Sequence, residues 1–171
     1  MSDDTSAAIR DVRKDWISEH REIYLQSGGA QGHIMDITAV GGRYLGTHCL
    51  VKYIGRNSGK VFITPLCYGA IGGEVVIVAS KGGADDHPEW YKNIIARDRV
   101  DFQLATKAFT ASWREPVGAE REKIWQFMVD CHPFYATYQA LTARLIPLLM
   151  MQAITPIAVF QESDATGLRQ F

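Results

Sequence analysis

The N-terminal part of the chain has the hydrophobic spacing of a helix. Over residues 11–26 the apolar side chains form a loose stripe of helical period, made up of Val12, Trp16, Ile17, Ile23 and Tyr24. Residues 27–33 then include three glycines, and such a glycine-rich stretch does not hold a helix. We therefore predict an N-terminal helix followed by a flexible, glycine-rich lead-in.

From Thr47 onwards the pattern changes to short runs rich in β-branched and aromatic residues. These runs are typical of strands, and they read HCLVKYI, KVFITPLCY, EVVIVAS, VDFQLA and AFTASW. Glycine-containing segments at 55–59 and 69–73 separate the first three runs. Both segments are too short for a parallel crossover, which takes about a dozen residues or more. We therefore predict that consecutive strands run antiparallel.

Two helical patterns and a closing pair of strands complete the chain. One helix follows Pro88, and a second covers residues 115–131 with apolar positions at helical spacing. Apolar runs on either side of Gln152 predict two closing strands. Together these elements predict an α+β, barrel-like domain of six to seven mostly antiparallel strands with about three flanking helices. We assign the N-terminal helix and lead-in to residues 1–46, the barrel to 47–161 and a C-terminal tail to 162–171.

Composition and charge exclude several classes of protein. Of the 171 residues, 47% are hydrophobic and 22% are charged, which is typical of a globular chain and not of a disordered one. The net charge is −1 and no basic stripe is present, so nothing indicates a nucleic-acid partner. We expect one globular domain.

The cysteines and the apolar stretches indicate in which cellular compartment the protein is expected. Cys49, Cys67 and Cys131 are widely spaced, which is typical of reduced thiols in a cytoplasm. The polar, acidic start does not resemble a secretory signal. Residues 145–160 are strongly apolar, but they are too short to span a bilayer and contain two prolines. We therefore expect a soluble, cytoplasmic protein.

Several familiar motifs are missing from the sequence. Neither a Gly-x-Ser-x-Gly elbow nor a Gly-x-Gly-x-x-Gly loop occurs. Residues 55–61 look briefly like a phosphate loop, but they join two strands, whereas that loop must open a helix. The five histidines never recur at metal-ligand spacing, so we predict no metal site.

Two groups of residues are candidates for chemistry. Ser80, Lys81 and the two glycines after them follow a predicted strand, where successive amides can form an anion-binding nest. The alternative is a glycine-rich connection with a solvated lysine. His132, Tyr135 and Tyr138 recur three residues apart and carry groups that donate hydrogen bonds and transfer protons. The alternative for these three is an aromatic packing face.

The order of these pieces resembles a known family. The segments IGRNSGKVFITPL, VVIVASKGGADDHPEWYKNI and HPFYATYQALTARLIP are similar to the deazaflavin-dependent nitroreductases, split-β-barrel reductases that use coenzyme F420. The resemblance covers residues 50–149. It implies an FMN-binding split-barrel-like fold. It also implies an oxidoreductase that transfers a hydride from reduced coenzyme F420 to an activated alkene, quinone or nitro compound.

The resemblance also implies roles for individual residues. The turn that borders the coenzyme tail corresponds to Gly55, Arg56, Asn57, Ser58 and Gly59. Positions along the coenzyme correspond to Pro65, Ala79, Ser80, Lys81, Gly82, Gly83 and Ala84, with Trp90 and Tyr91 on the helix behind it. The substrate side corresponds to Cys67, His132, Tyr135 and Tyr138. Of these residues, the candidate catalytic groups are Tyr138, Tyr135, Ser80 and His132.

Four positions depart from the family pattern. Asn57 stands where many relatives carry Lys or Arg, and Phe62 stands near another basic position, so both remove positive charge from the coenzyme tail. Cys67 and His132 stand where tyrosines occur in relatives. A histidine donates a proton near neutral pH more readily than an unperturbed tyrosine does.

The sequence leaves other functions open for the same barrel. FMN would keep the redox class and replace the coenzyme. A non-catalytic carrier of a flavin, haem or fatty ligand would fit the lost basic positions and the apolar stretch near Leu145. The chain could be a monomer or a homodimer. Its N-terminal helix could also make peripheral contact with a membrane.

Overall fold

Eight strands and four α-helices make up the described part of the chain. The computed structural model describes residues 3–37 and 45–167. Its helices are α1 (Asp3–Gln26), α2 (Glu89–Ile94), α3 (Gly118–Cys131) and α4 (Phe134–Ala140), with short 3-10 turns at Lys81–Gly83 and Glu162–Asp164. The strands are β1 (Ile34–Asp36), β2 (Leu45–Ile54), β3 (Val61–Cys67), β4 (Gly69–Ile71), β5 (Glu74–Val78), β6 (Val100–Leu104), β7 (Lys107–Arg114) and β8 (Leu148–Ile157).

The strands form one antiparallel sheet that branches at β2. The main path runs β1-β2-β6-β7-β8-β5-β4, and β3 pairs with β2 outside this path. Every strand pair in the described chain is antiparallel, which confirms the prediction from the short turns. The strand count exceeds the predicted six to seven because β1 and β4 have three residues each, too few to show a pattern in sequence.

The sheet is covered on both sides at β5, and this explains an uninterrupted apolar run. Val75 and Ile77 point into the main core, together with Trp90 and Phe102. Their neighbours Val76 and Val78 belong to a second cluster beneath α3 and α4. A strand buried on both faces reads as continuously hydrophobic instead of alternating.

The closing strand corrects one prediction. In place of two strands around Gln152, a single strand, β8, runs from Leu148 to Ile157. Residues 148–151 are buried between the core clusters, whereas Gln152 and the residues up to 156 are exposed. The register against β7 also shifts near Ile154, as at a β-bulge. The change in polarity at Gln152 therefore marks the end of the covered part of β8 and not the end of a strand.

The glycine-rich segment after α1 approaches the turn between β6 and β7 closely at Gly29. Gly29 has a φ of +86°, and a Cβ there would lie 1.7 Å from the Ala105 carbonyl oxygen. Its N–H donates to the Tyr24 carbonyl at 3.0 Å, which ends the helix with the positive-φ residue typical of a C-terminal cap. Glycine is used here for close approach of two backbone segments.

Buried polar side chains fasten α1 to the barrel. Arg21 donates from Nε to the Ile63 carbonyl at 2.8 Å and pairs with Glu162. The Tyr24 hydroxyl accepts the Ala105 N–H at 2.8 Å and donates to the His48 carbonyl at 3.1 Å. The second half of α1 is consequently part of the barrel wall.

We expect Arg21→Met to lower the free energy of unfolding by about 2–4 kcal/mol, because it leaves a buried carbonyl without its charged donor. Urea unfolding followed by circular dichroism measures the change. Glu162→Gln is the matched control: the Glu162 side chain is 62% exposed, so we expect a loss below about 1 kcal/mol. Equal stabilities of wild type and Arg21→Met would contradict this account of how α1 is held.

Candidate active site

One pocket lies where α1, β3, the loop after β5 and α4 meet. Its volume is about 180 Å³. The lining is largely apolar and aromatic, with a few polar groups, as in small-molecule sites. It consists of Trp16, Ile17, His20, Ile37, His48, Thr64, Pro65, Leu66, Cys67, Val78, Ser80, Lys81, Gly82, Pro88, Trp90, Phe134, Tyr135 and Tyr138.

The loop after β5 has the backbone geometry of a nest. Ser80 is right-handed helical (φ −79°, ψ −37°), whereas Lys81 and Gly82 have positive φ values of 47° and 64°. Successive right- and left-handed residues turn their N–H groups toward one concave side, which suits anions and carbonyl oxygens. Ser80, Lys81 and Gly82 all line the pocket. The Lys81 ammonium contacts Asp86 at 2.6 Å, so its charge is balanced locally.

A single arginine holds this loop in place. Arg144 donates to the carbonyl oxygens of Ala79, Ser80 and Ala84 at 2.7–3.1 Å. It also donates to Nδ1 of His87 at 2.9 Å. Burial lowers the pKa of Arg144, but a guanidinium stays protonated in proteins. Sequence reasoning missed this residue, because nothing in the run TARLIP indicates that its arginine reaches a loop some 60 residues earlier.

The aromatic cluster of α4 forms the opposite wall. Tyr135 and Tyr138 line the pocket together with Phe134, whose ring lies 4.6 Å from that of Tyr135 and 5.3 Å from that of Tyr138. His132 lies outside the lining, where its Nε2 donates to the Tyr68 carbonyl at 3.0 Å. Burial lowers the pKa of His132, which makes it a less available proton donor near pH 7 than we expected.

Two histidines that the sequence did not single out lie in the wall formed by α1 and β2. His20 donates from Nε2 to the Gly32 carbonyl at 2.7 Å. Its Nδ1 is buried and has no hydrogen-bond partner in the described chain. His48 donates from Nδ1 to the Gly46 carbonyl at 3.0 Å. Burial lowers the pKa of both rings, that of His48 to about 3, so both are neutral at pH 7.

The predicted residues divide into two groups in space. Those that line the pocket are Pro65, Cys67, Ser80, Lys81, Gly82, Trp90, Tyr135 and Tyr138. Those outside its lining are Gly55, Arg56, Asn57, Ser58, Gly59, Ala79, Gly83, Ala84, Tyr91 and His132.

The turn at residues 55–59 is connected to the pocket through α2. Arg56 donates to the Asn93 side-chain oxygen from its N–H at 3.0 Å and from its guanidinium at 2.8 Å. The same guanidinium contacts Glu89 at 2.9 Å. Trp90, on the same short helix, lines the pocket. The turn and the pocket therefore share one supporting element.

The described residues contain neither a cluster of metal ligands nor a helix that could span a membrane. No group of three or more His, Cys, Asp or Glu side chains in residues 3–37 and 45–167 is arranged to hold a metal ion. Within the same residues, every helix is too short or too polar to cross a membrane. All three cysteines are free thiols.

The fold and the pocket together indicate the class of protein to which the chain belongs. A branched antiparallel barrel whose pocket combines backbone donors with phenol side chains suits a reductase that holds a flat, flavin-type ring. The model of the F420H(2)-dependent quinone reductase family matches residues 16–153. The chain therefore belongs to this family, and it is a split-barrel oxidoreductase that uses coenzyme F420.

Two solved structures and one quinone reductase are similar to this chain. An F420-H2 dependent reductase (FDR-A) of known structure is 39% identical over 61% of this chain and 93% of its own, with a TM-score of 0.57. A solved structure described as a domain-swapped dimer is 35% identical over 82% of this chain and 99% of its own, with a TM-score of 0.60. The F420H(2)-dependent quinone reductase Rv1261c of Mycobacterium tuberculosis is 31% identical, covering 60% of this chain and 70% of the relative.

We expect Arg144→Lys to weaken coenzyme F420 binding about tenfold, because one ammonium cannot reach three separate carbonyls as a planar guanidinium does. Fluorescence titration with the coenzyme measures the dissociation constant. Arg99→Lys is the matched control, since Arg99 is exposed and donates to the adjacent Asp98 carbonyl. If Arg144→Lys folds normally and binds as tightly as the control, the loop does not depend on this residue.

Proposed function

We propose that this protein reduces quinones with hydride from reduced coenzyme F420 in the pocket described above. The observation that carries the proposal is the meeting of the loop at Ser80–Gly82 with Tyr135 and Tyr138 across one cavity. Hydride donor and acceptor must lie in van der Waals contact, so one space has to hold both rings.

The donor set of the loop fits the coenzyme. When bound, the reduced deazaflavin supplies a hydride, an obligate two-electron transfer. The nest at Lys81 and Gly82 offers N–H groups suited to the carbonyl edge of its pyrimidine ring. The Ser80 hydroxyl caps no N–H of the following turn, which leaves it available to the ring. In our proposal Trp90 supports the ring and the turn at residues 55–59 borders the tail.

The α4 tyrosines serve the acceptor in this proposal. A quinone that has accepted a hydride needs a proton at its oxygen, and a phenol hydroxyl can donate that hydrogen bond or proton. Tyr138 is half-buried and lines the pocket, with its ring packed on Phe134. We assign Tyr138 as the principal donor and Tyr135, which is buried, as its neighbour in positioning the acceptor. Cys67 on β3 completes the acceptor side.

The pocket's charge favours a neutral acceptor. His20 and His48 are neutral because burial lowers their pKa values, and Lys81 is paired with Asp86. The apolar remainder of the lining offers no compensation for a charged ligand. This supports a quinone over an anionic acceptor.

We expect Ser80→Ala and Tyr138→Phe each to lower kcat/KM by about tenfold or more, since each removes a hydrogen-bond donor from the reacting groups. Oxidation of reduced coenzyme F420 by 2,3-dimethyl-1,4-naphthoquinone, followed by absorbance, measures the rate. Unfolding free energies should change by less than about 1 kcal/mol.

Tyr68→Phe is the matched control for these variants. The Tyr68 hydroxyl contacts His33 outside the pocket lining, so the rate should stay at the wild-type value. Wild-type kinetics in both Ser80→Ala and Tyr138→Phe would reject our assignment of these residues. A wild type that binds FMN in place of coenzyme F420 would reject the proposed electron donor.

We also infer that the protein forms a homodimer, as the relative described as a domain-swapped dimer does. That relative matches 82% of this chain, so its assembly is a direct guide. Light scattering after size-exclusion chromatography should give twice the 19.1 kDa of one chain. A mass of one chain at micromolar concentration would reject the dimer. Contact with a membrane surface stays a prediction.

A further inference from the structure

Cys67 lies in the acceptor side of the pocket next to a histidine. It is the last residue of β3, it is half-buried, and it lines the pocket. Its Sγ is 3.3 Å from Nε2 of His48 on the neighbouring strand β2, which is within hydrogen-bond range for sulfur. The two residues are also directly paired in the β2–β3 register, so the contact is set by the sheet.

The orientation of His48 assigns a role to each ring nitrogen. Nδ1 lies 3.0 Å from the Gly46 carbonyl, which can only accept, so Nδ1 carries the hydrogen. In the neutral ring Nε2 is then a lone pair, and it accepts the Cys67 thiol proton. Thiol, imidazole and orienting carbonyl follow one another in hydrogen-bond contact, so the neutral imidazole offers the thiol proton a path away from the sulfur.

The wall beside this pair shows an independent sign of a ligand. His20, which is 1% exposed, meets His48 edge to face with ring centroids 4.5 Å apart. Its Nε2 donates to the Gly32 carbonyl, so its Nδ1 is an acceptor, and this atom has no partner in the described chain. A buried acceptor without a donor is costly. His20 lines the same pocket, so this unpartnered nitrogen belongs to the wall that a ligand would contact.

The other two cysteines lack these features. Cys49 is fully buried, and burial raises the pKa of its thiol. Cys131 is at the end of α3 outside the pocket lining, and burial together with Asp130 raises its pKa. Any chemistry that depends on the pocket and on His48 is therefore expected at Cys67 alone.

We propose that Cys67 is a site of covalent addition for quinones that have an unsubstituted ring carbon. The sulfur bonds to that carbon, and the electron pair of the ring C=C bond moves to the carbonyl oxygen. The thiol proton passes by way of His48 Nε2 to this oxygen. Transfer of the ring proton from the attacked carbon to the second oxygen gives a hydroquinone thioether, so the ring is reduced at the expense of the new S–C bond and no further reductant is needed.

This inference rests on the proposed function only in taking a quinone into the pocket. Hydride transfer turns the quinone over, whereas addition to Cys67 retains it. The protein without its hydride donor should therefore be modified by its own class of acceptor.

Incubation of the protein with one equivalent of 1,4-naphthoquinone, followed by intact mass and peptide mapping, tests the proposal. We expect one naphthoquinone per chain, located at Cys67, and none with 2,3-dimethyl-1,4-naphthoquinone, whose ring carbons are both blocked. Cys67→Ser should abolish the adduct, and Cys131→Ser, the matched control, should leave it unchanged. Reaction at Cys131 as fast as at Cys67, or no reaction at Cys67, would overturn the proposal.

A second variant tests the part played by the histidine. His48→Asn keeps a donor for the Gly46 carbonyl and removes the acceptor at Nε2. We expect modification of Cys67 to slow by about tenfold, the loss of one hydrogen bond to the transferring proton, while labelling of unfolded protein in urea stays equal. An unchanged rate in folded protein would reject His48 as the acceptor of the thiol proton. Should this variant not fold, the mapping with Cys67→Ser and Cys131→Ser still decides the site.

Turnover separates this proposal from the proposed function. Coenzyme-dependent reduction of 2,3-dimethyl-1,4-naphthoquinone together with an unmodified Cys67 in 1,4-naphthoquinone would reject the addition alone. Modification of Cys67 without any turnover of reduced coenzyme F420 would reject the reductase assignment alone.

Discussion

Buried side-chain donors bind backbone groups that strand pairing leaves without partners, and the shape of the pocket depends on these contacts. A carbonyl removed from water without a donor costs free energy that a marginally stable domain cannot easily lose. Arg144 satisfies three carbonyls of the loop after β5, and Arg21 satisfies one on β3. Tyr24 connects α1 to the β6–β7 turn. The pocket lies between the elements that these side chains join.

The same arrangement explains why the pocket wall has little unbalanced charge. Because α1 is fixed against β2 and β3, His20 and His48 are removed from water and stay neutral. Their tautomers are decided by the carbonyls of Gly32 and Gly46. The polar groups of the site are then lone pairs, phenols, the Ser80 hydroxyl and backbone N–H groups, and the Lys81 charge is balanced by Asp86. Such a set can orient a neutral ring and exchange protons with it without an unbalanced charge.

The two sides of the pocket place different demands on the chain. The loop at Ser80–Gly82 requires positive φ values and an outside clamp, which makes it a rigid cradle. The α4 side is built from aromatic rings that meet edge to face or at a tilt, and an apolar aromatic wall tolerates small changes of acceptor. A rigid donor side and an adaptable acceptor side suit an enzyme with one coenzyme and a class of substrates. Cys67, on the acceptor side, brings a nucleophile into contact with that class.

Most of the strands could be predicted from local sequence. β-Branched runs and short glycine turns predicted the antiparallel neighbours correctly, because side-chain burial and turn geometry are properties of a few adjacent residues. The three-residue strands β1 and β4 are too short to show a pattern in sequence, and the polar Gln152 interrupts the apolar pattern of β8, which is one strand. The close approach of Gly29 to Ala105 has no signal in the sequence, because the two residues are distant in the chain.

The sequence by itself determined the class of fold, the loop at Ser80–Gly82 and the tyrosine pair of α4, since each is encoded within a short segment. Only the tertiary structure decided that α1 forms a wall of the pocket, that Arg144 holds the loop and that His48 meets Cys67. Each of these contacts joins segments that no local spacing connects. Their partners are backbone carbonyls or residues on another strand, and an isolated sequence pattern has no means of indicating which distant atom a long or buried side chain will reach.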